Sequence, residues 1–134
     1  MLFLWRKKYR EVRRRVRDGR DFSGTDLTEA QLFDLDLTGK RFTNARLHGA
    51  DLTGADLSRA DFTGADLSGA YLNGVQADDA VLVGCSLRDA YLYAANLSGA
   101  VIRDVDLAGT LWDQNTQWPS TFRPPRPSER PRSS

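Results

Sequence analysis

An apolar residue returns at every fifth position from Phe22 to Trp112 without one insertion: Phe22, Leu27, Leu32, Leu37, Phe42, Leu47, Leu52, Leu57, Phe62, Leu67, Leu72, Ala77, Leu82, Leu87, Leu92, Leu97, Ile102, Leu107 and Trp112. Ala usually stands two residues before each of them, and Gly often two residues after. A period of five matches neither the 3.6 of a helix nor the 2.0 of a strand. Held in one register for this long, it predicts a solenoid, in which a small unit stacks on itself and the core runs along an axis.

The 134 residues suffice for one domain with a real core, and their net charge of +1 averages over unlike parts. Residues 1–19 carry eight Arg or Lys against Glu11 and Asp18, a net of +6. Residues 20–114 carry seven against 15 acids, a net of −8, and residues 115–134 carry four Arg against Glu129, a net of +3. An acidic body between two basic ends bears on partners rather than on fold. The single cysteine, Cys85, excludes an intramolecular disulfide and offers no framework for a metal. No stretch reads as a transmembrane span. The Met1–Trp5 start is too short for a signal-peptide core and has its basic residues behind it, so a cytoplasmic protein is expected.

Residues 1–19 read as a basic amphipathic helix over 2–17, with Leu2, Trp5, Tyr9, Val12 and Val16 on one face. Arg6, Lys7, Lys8, Arg10, Arg13, Arg14, Arg15 and Arg17 cover the remainder, and Gly19 is free to end the helix in the left-handed conformation. Two roles stay open. The helix caps the open first coil, or its basic face meets an anionic membrane or nucleic acid. All five prolines lie in residues 115–134, outside the repeat. From Pro124 onward a disordered Pro-rich tail is expected, with Trp118 and Phe122 before it as candidates to fold back over the last coil.

The unit is plainest in Ala50-Asp51-Leu52-Thr53-Gly54, Ala60-Asp61-Phe62-Thr63-Gly64 and Ala65-Asp66-Leu67-Ser68-Gly69. This resembles the pentapeptide-repeat proteins over residues 20–114, and Trp112-Asp113 with Thr116, Trp118-Pro119, Phe122 and Pro124 looks like a closing motif common on bacterial members. The resemblance implies an all-β solenoid: a right-handed quadrilateral β-helix of about 4.75 coils and roughly 23 Å, at about 4.8 Å per coil. It further implies that the central residue and the one two before it point inward. Ten of the eleven glycines then fall at the corners, where turn formers are needed. In coils of 20, Phe22, Phe42 and Phe62 share a column, as do Asp21, Arg41 and Asp61. Three residues depart from the pattern. Lys40 takes an inward position, where snorkelling outward or a distortion near Gly39 is expected. Ala77 leaves a weak or compensated point, and Cys85 is a packing residue.

No catalytic constellation is present, so an enzyme is not expected, and no cofactor or metal is implied. His48 is outward, and the recurrent Asp residues read as a solvated ladder. Function then rests on the surface. Asp36, Asp56, Asp78 and Asp79 make a candidate acidic partner-binding face. Phe33, Tyr71, Tyr91, Tyr93 and Leu111 make a candidate apolar interface, and Val81, Val83 and Val101 gather opposite. The resemblance implies a non-enzymatic protein-binding solenoid. Its concrete form is a DNA mimic that occupies the DNA-binding groove of DNA gyrase or another type II topoisomerase. The alternative is a scaffold or regulator bound through the aromatic face, with peripheral contact to an anionic membrane through the basic helix. Direct nucleic-acid binding is the less favoured option, and a homodimer is left open.

Overall fold

The computed structural model describes the backbone of residues 2–125 and the side chains of residues 9–125. Four parallel ladders run along the molecule, through Asp21, Arg41, Asp61 and Val81; Asp26, Arg46, Asp66 and Ser86; Gln31, Asp51, Tyr71 and Tyr91; and Asp36, Asp56, Gln76 and Asn96. Partners lie 20 residues apart, so each coil has four five-residue sides. Most pairings are single bridges. Continuous strand is confined to β1 (Val81–Val83) and β2 (Val101–Arg103), paired in register Val81 to Val101. The all-β expectation is thus met by bridges and corners more than by strands, because a turn every five residues leaves little straight chain between corners.

Most corners close by a hydrogen bond from the N–H three residues on to the carbonyl of the apolar residue, as from Ala45 to Phe42 at 3.0 Å. The third turn residue takes positive φ, +70° at Gly54 and +68° at Gly64, the signature of a type II turn. Eight other corners hold the same conformation with non-glycine residues, Asp34 and Asn44 among them, so at these two positions glycine is favoured by φ and by room together. A Cβ on Gly54 would strike the Asp34 carboxylate of the coil below, and one on Gly64 the Asn44 amide.

The interior is one residue wide. Phe22, Phe42 and Phe62 stack at 5.5 and 4.9 Å, and the Leu columns and their Ala partners are buried beside them. Ala77 is compensated by Val75, which fills the small-residue column where Ala55 and Ala95 stand in the adjoining coils; both Val75 and Ala77 are buried. Ala77→Leu should therefore overpack the site and cost about 1–3 kcal/mol, and adding Val75→Ala should recover most of it. Urea midpoints of the three proteins check this; a single variant as stable as the parent would refute the compensation.

The helix α1 (Leu2–Asp18) lies across the open first coil. Val16 is fully buried, and Val12 packs on the core. Arg13 turns inward rather than out: Nη1 donates to the edge carbonyls of Gln31 and Phe33, both at 3.0 Å, and the guanidinium lies 4.4 Å from the Phe33 ring centre. Lys40 does not snorkel outward. It is 7% exposed, and Nζ donates to the carbonyls of Arg17 (2.9 Å) and Gly19 (2.5 Å) at the helix C-terminus, where the helix dipole favours a cation. Gly19 is absent from the positive-φ residues, so its role is room, not handedness: a Cβ there would lie 2.6 Å from Phe22 Cζ.

At the other end the register slips by one. Asn96 pairs with Gln117, 21 residues on, so ladder pairing continues past residue 114 and Trp118 takes the place that follows Leu97. Thr110 and Thr116 fill the small inward positions of this last coil and donate to the carbonyls of Leu87 (2.5 Å) and Leu92 (2.7 Å). Trp118 meets Trp112 edge-on at 5.2 Å and stacks with Phe122 at 5.4 Å, closing the core. The expected tail beyond Pro125 lies outside the described residues.

Candidate interaction surfaces

The recurrent aspartates have a local task. Oδ1 of Asp21, Asp26, Asp36, Asp51, Asp56, Asp61, Asp66 and Asp106 accepts the backbone N–H two residues on, at 2.9–3.0 Å. Where Ser or Thr follows in the second place, its hydroxyl often adds a bond to the same oxygen, as Ser23 does to Asp21. These are Asx turns, and they account for Asp at this position without any partner. Hydrogen bonds from the Ser23 hydroxyl and N–H hold the Asp21 carboxyl below the usual range. Burial pushes Asp61 upward, but its bonds from Thr63 and Thr43 outweigh burial and the net shift is down.

A depressed carboxyl stabilises the fold above its unfolded value, and that contribution is lost as pH falls through the folded value. The urea midpoint should stay level from about pH 7 to 5 and decline below about pH 4. Asp61→Asn, which keeps the acceptor but cannot titrate, should flatten part of that decline. An unchanged slope would show that Asp61 does not carry it.

The acidic face divides accordingly. Asp36 and Asp56 serve turns, whereas Asp78 and Asp79 are exposed corner residues outside the Asx pattern. On the second side, Asp26 and Asp106 also face Arg46 and Arg88, at 3.9 and 3.2 Å. His48 Nδ1 lies 2.9 Å from Ser68 Oγ, which donates to Asp66 at 2.5 Å. Here the serine hydroxyl donates its hydrogen bond to the carboxylate rather than to the imidazole, so the order needed for a base-activated nucleophile is absent. Cys85 is buried, and burial pushes its thiol up to about 12, too high for a reactive thiolate. Among the described residues no group of His, Cys, Asp and Glu could hold a metal ion, and no helix is long and apolar enough to cross a membrane.

The third side changes character upward. Asp51 stands below Tyr71, Tyr91 and Leu111 in one ladder. The two tyrosine rings stack at 4.8 Å and 3°. Tyr71, Tyr93 and Leu111 are 42, 39 and 40% exposed, so the closing segment does not cover Leu111. Phe33 is not part of this open surface: Arg13 lies on its ring and Tyr9 beside it at 6.4 Å. Opposite, Val101 is 43% exposed above Val81. At 71, 81, 91, 101 and 111 the chain forgoes the Asx acid, a hydrogen bond worth about 1 kcal/mol, and presents apolar surface instead. The sequence had already marked these five positions by their apolar residues; the structure adds that they replace the turn-forming acid.

Of the candidate basic contacts, Arg10, Arg14 and Arg15 are exposed on α1, Arg13 is spent on the cap, and Arg17 pairs with Asp18 at 2.8 Å. The side chains of Arg6, Lys7 and Lys8 lie outside the described residues. Since Val12 and Val16 face the solenoid, the apolar stripe that an interfacial helix would insert into lipid is occupied along this part. A groove of about 770 Å³ runs from α1 along the corner of the first three coils, lined by Tyr9, Val12, Arg15, Leu27, Glu29 and Tyr71 among others.

A family model of pentapeptide repeats matches residues 41–76 and 70–109, with eight copies. Among solved structures, the chain is similar to the pentapeptide repeat protein Rfr23 from the cyanobacterium Cyanothece 51142, at 34% identity over 73% of this chain and 63% of that one, with a TM-score of 0.47. It is also similar to alr5209, a pentapeptide repeat protein from Nostoc PCC 7120, at 33% identity over 87% and 84%, with a TM-score of 0.38. A trypsin-treated form of QnrB1, a plasmid-mediated fluoroquinolone resistance protein, is 24% identical over 67% and 59%, with a TM-score of 0.49. The chain thus spans less than two thirds of Rfr23. No curated protein sequence matches it.

Proposed function

Since the chain belongs to the pentapeptide-repeat family, right-handed β-helices that are in general non-enzymatic interaction proteins, we propose that it is a protein-binding rod whose docking surface is Tyr71, Tyr91, Tyr93 and Leu111. The observation that carries this is the ladder Tyr71, Tyr91, Leu111, where the stabilising acid of the repeat is replaced by exposed apolar side chains. Surface of this kind, kept at the expense of a local hydrogen bond, marks an interface. A photo-crosslinking residue, p-benzoylphenylalanine, in place of Tyr93 should give a discrete protein adduct in cells, while the same probe in place of Thr53, lower on the same side, should not. Tyr91→Asp should leave stability within about 1 kcal/mol and abolish the adduct. Equal labelling from positions 93 and 53, or none from either, overturns the reading.

Asp78 and Asp79 support a second reading, in which the acidic face with Asp36 and Asp56 mimics DNA in the groove of gyrase or another type II topoisomerase. Supercoiling by purified gyrase, with and without a quinolone, should respond to the protein and lose that response with Asp78→Lys and Asp79→Lys. No effect and no binding at micromolar protein removes this reading.

A further inference from the structure

We propose that the groove between α1 and the rod binds a short extended peptide segment of a partner, which sets a basic side chain against Glu29 and apolar side chains on Tyr9, Val12 and Ala30. The groove has a volume of about 770 Å³ and climbs the corner column Glu29, Gly49 and Gly69 as far as Tyr71. That volume lies within the roughly 300–1,000 Å³ of clefts that hold small ligands. A contact between folded proteins buries about 800 Å² on each side, so a groove of this size suits a segment rather than a domain. From Glu29 to Gly69 is two coil steps, about 10 Å, which about three residues of extended chain would span. The site is separate from the rest of the tyrosine docking surface: Tyr91, Tyr93 and Leu111 do not line it.

Glu29 identifies the chemistry of the occupant. It is one of eight non-glycine residues at positive φ, here +58°. Five of the others are Asp or Asn, whose short side chains tolerate that conformation. A glutamate has no such advantage, and nine corners of the rod use glycine instead. Strain kept at one position of a repeat that relieves it elsewhere points to a use for the side chain. Glu29 is exposed in the groove, and among the described residues no hydrogen bond or ion pair holds its carboxylate. The neighbouring acids are differently placed. Asp26 and Asp51 each accept the N–H of a turn, and Asp26 also faces Arg46. They add negative potential, and Glu29 is the acid open to a ligand. Charge therefore selects a basic segment over an acidic one. Arg15, exposed on the α1 side, supplies N–H donors suited to the carbonyls of an extended chain. Tyr9, Val12 and Ala30 are half-buried and give apolar contact, while Gly49 and Gly69 put no side chain in the path.

Acetylated hexapeptide amides with Lys, Gln or Glu at one central position among apolar residues test this on the full-length protein, read by methyl NMR. Shifts should appear at Val12 and Ala30 and not at Val101 on the opposite side. The Lys peptide should bind about tenfold more tightly than the Gln peptide, and the Glu peptide most weakly. Glu29→Gly should abolish the preference for Lys and at the same time raise the urea midpoint, because glycine relieves the positive φ. A fall in the midpoint would show that Glu29 serves the fold and would overturn its role as a ligand. No peptide bound, equal affinity for the Lys and Glu peptides, or shifts at Val101 that match those at Val12 overturns the site. Shifts at Val12 that grow with protein concentration alone assign the groove to a second copy and overturn it too. Tyr91→Asp should leave peptide binding unchanged, so the groove and the tyrosine face can fail separately.

Discussion

Phe42→Ala should destabilise the protein by about 3–5 kcal/mol, among the largest effects any single truncation here would have. Phe42 is fully buried and stacks on Phe22 below and Phe62 above, so one truncation removes two aromatic contacts. The ladders hold the coils at fixed spacing, and Ala45 and Leu47 are already packed, so the cavity cannot collapse. In a solenoid each coil is stabilised mainly by its neighbours, so the loss should weaken both interfaces of the second coil. A urea titration followed by far-UV circular dichroism measures it, with Phe42→Leu, which leaves a smaller void, expected to cost less than the alanine variant. A loss below about 1 kcal/mol for the alanine variant would refute a tightly stacked aromatic column.

Lys40→Met should cost about 2–3 kcal/mol, most of it at one end of the molecule. The thioether keeps the stem packed but removes the two bonds to the carbonyls of Arg17 and Gly19. Those part-buried carbonyls then lose a charged donor, which is the stronger kind of hydrogen bond to give up. Burial, with Arg20 nearby, holds Lys40 below the ordinary lysine value against the pull of Asp36 and Asp18. The ammonium is therefore kept for its bonds to the helix end rather than for easy solvation. Amide hydrogen exchange over residues 9–18 distinguishes the outcomes. Protection of α1 should fall while that of the upper coils is kept. Uniform loss along the rod, or none in α1, would show that Lys40 does not pin the helix.

These residues were unequally legible. Phe42 could be assigned to a stack from its spacing once the family resemblance set the coil at 20 residues, because every coil repeats the same contacts. Lys40 could only be marked as irregular. Its solution depends on where α1 lies, and α1 carries no trace of the repeat. Arg13 shows the same limit: among eight basic residues on the helix nothing in its spacing separates the one that caps Gln31 and Phe33 from those that face water. Phe33 was accordingly expected on the open aromatic face, yet it lies under that arginine. The aspartates were readable in part. Asp-x-Ser or Asp-x-Thr at fixed spacing is the pattern of an Asx turn. It separates the structural acids from Asp78 and Asp79, which a charge count by face does not.

The five-residue period by itself determined a solenoid and, once the family resemblance supplied four units per coil, the inward columns and the corner glycines. Each follows from contacts between residues at constant separation, and a constant separation is visible in one sequence. Only the tertiary structure decided the two ends and the state of the surface. It placed Arg13 and Lys40 under α1, slipped the final ladder by one residue to seat Trp118, and left Tyr71, Tyr93 and Leu111 open. The physical reason is the same throughout: an end has a neighbour on one side only, so its unpaired backbone and bare core are satisfied by whichever non-repeating segment lands there.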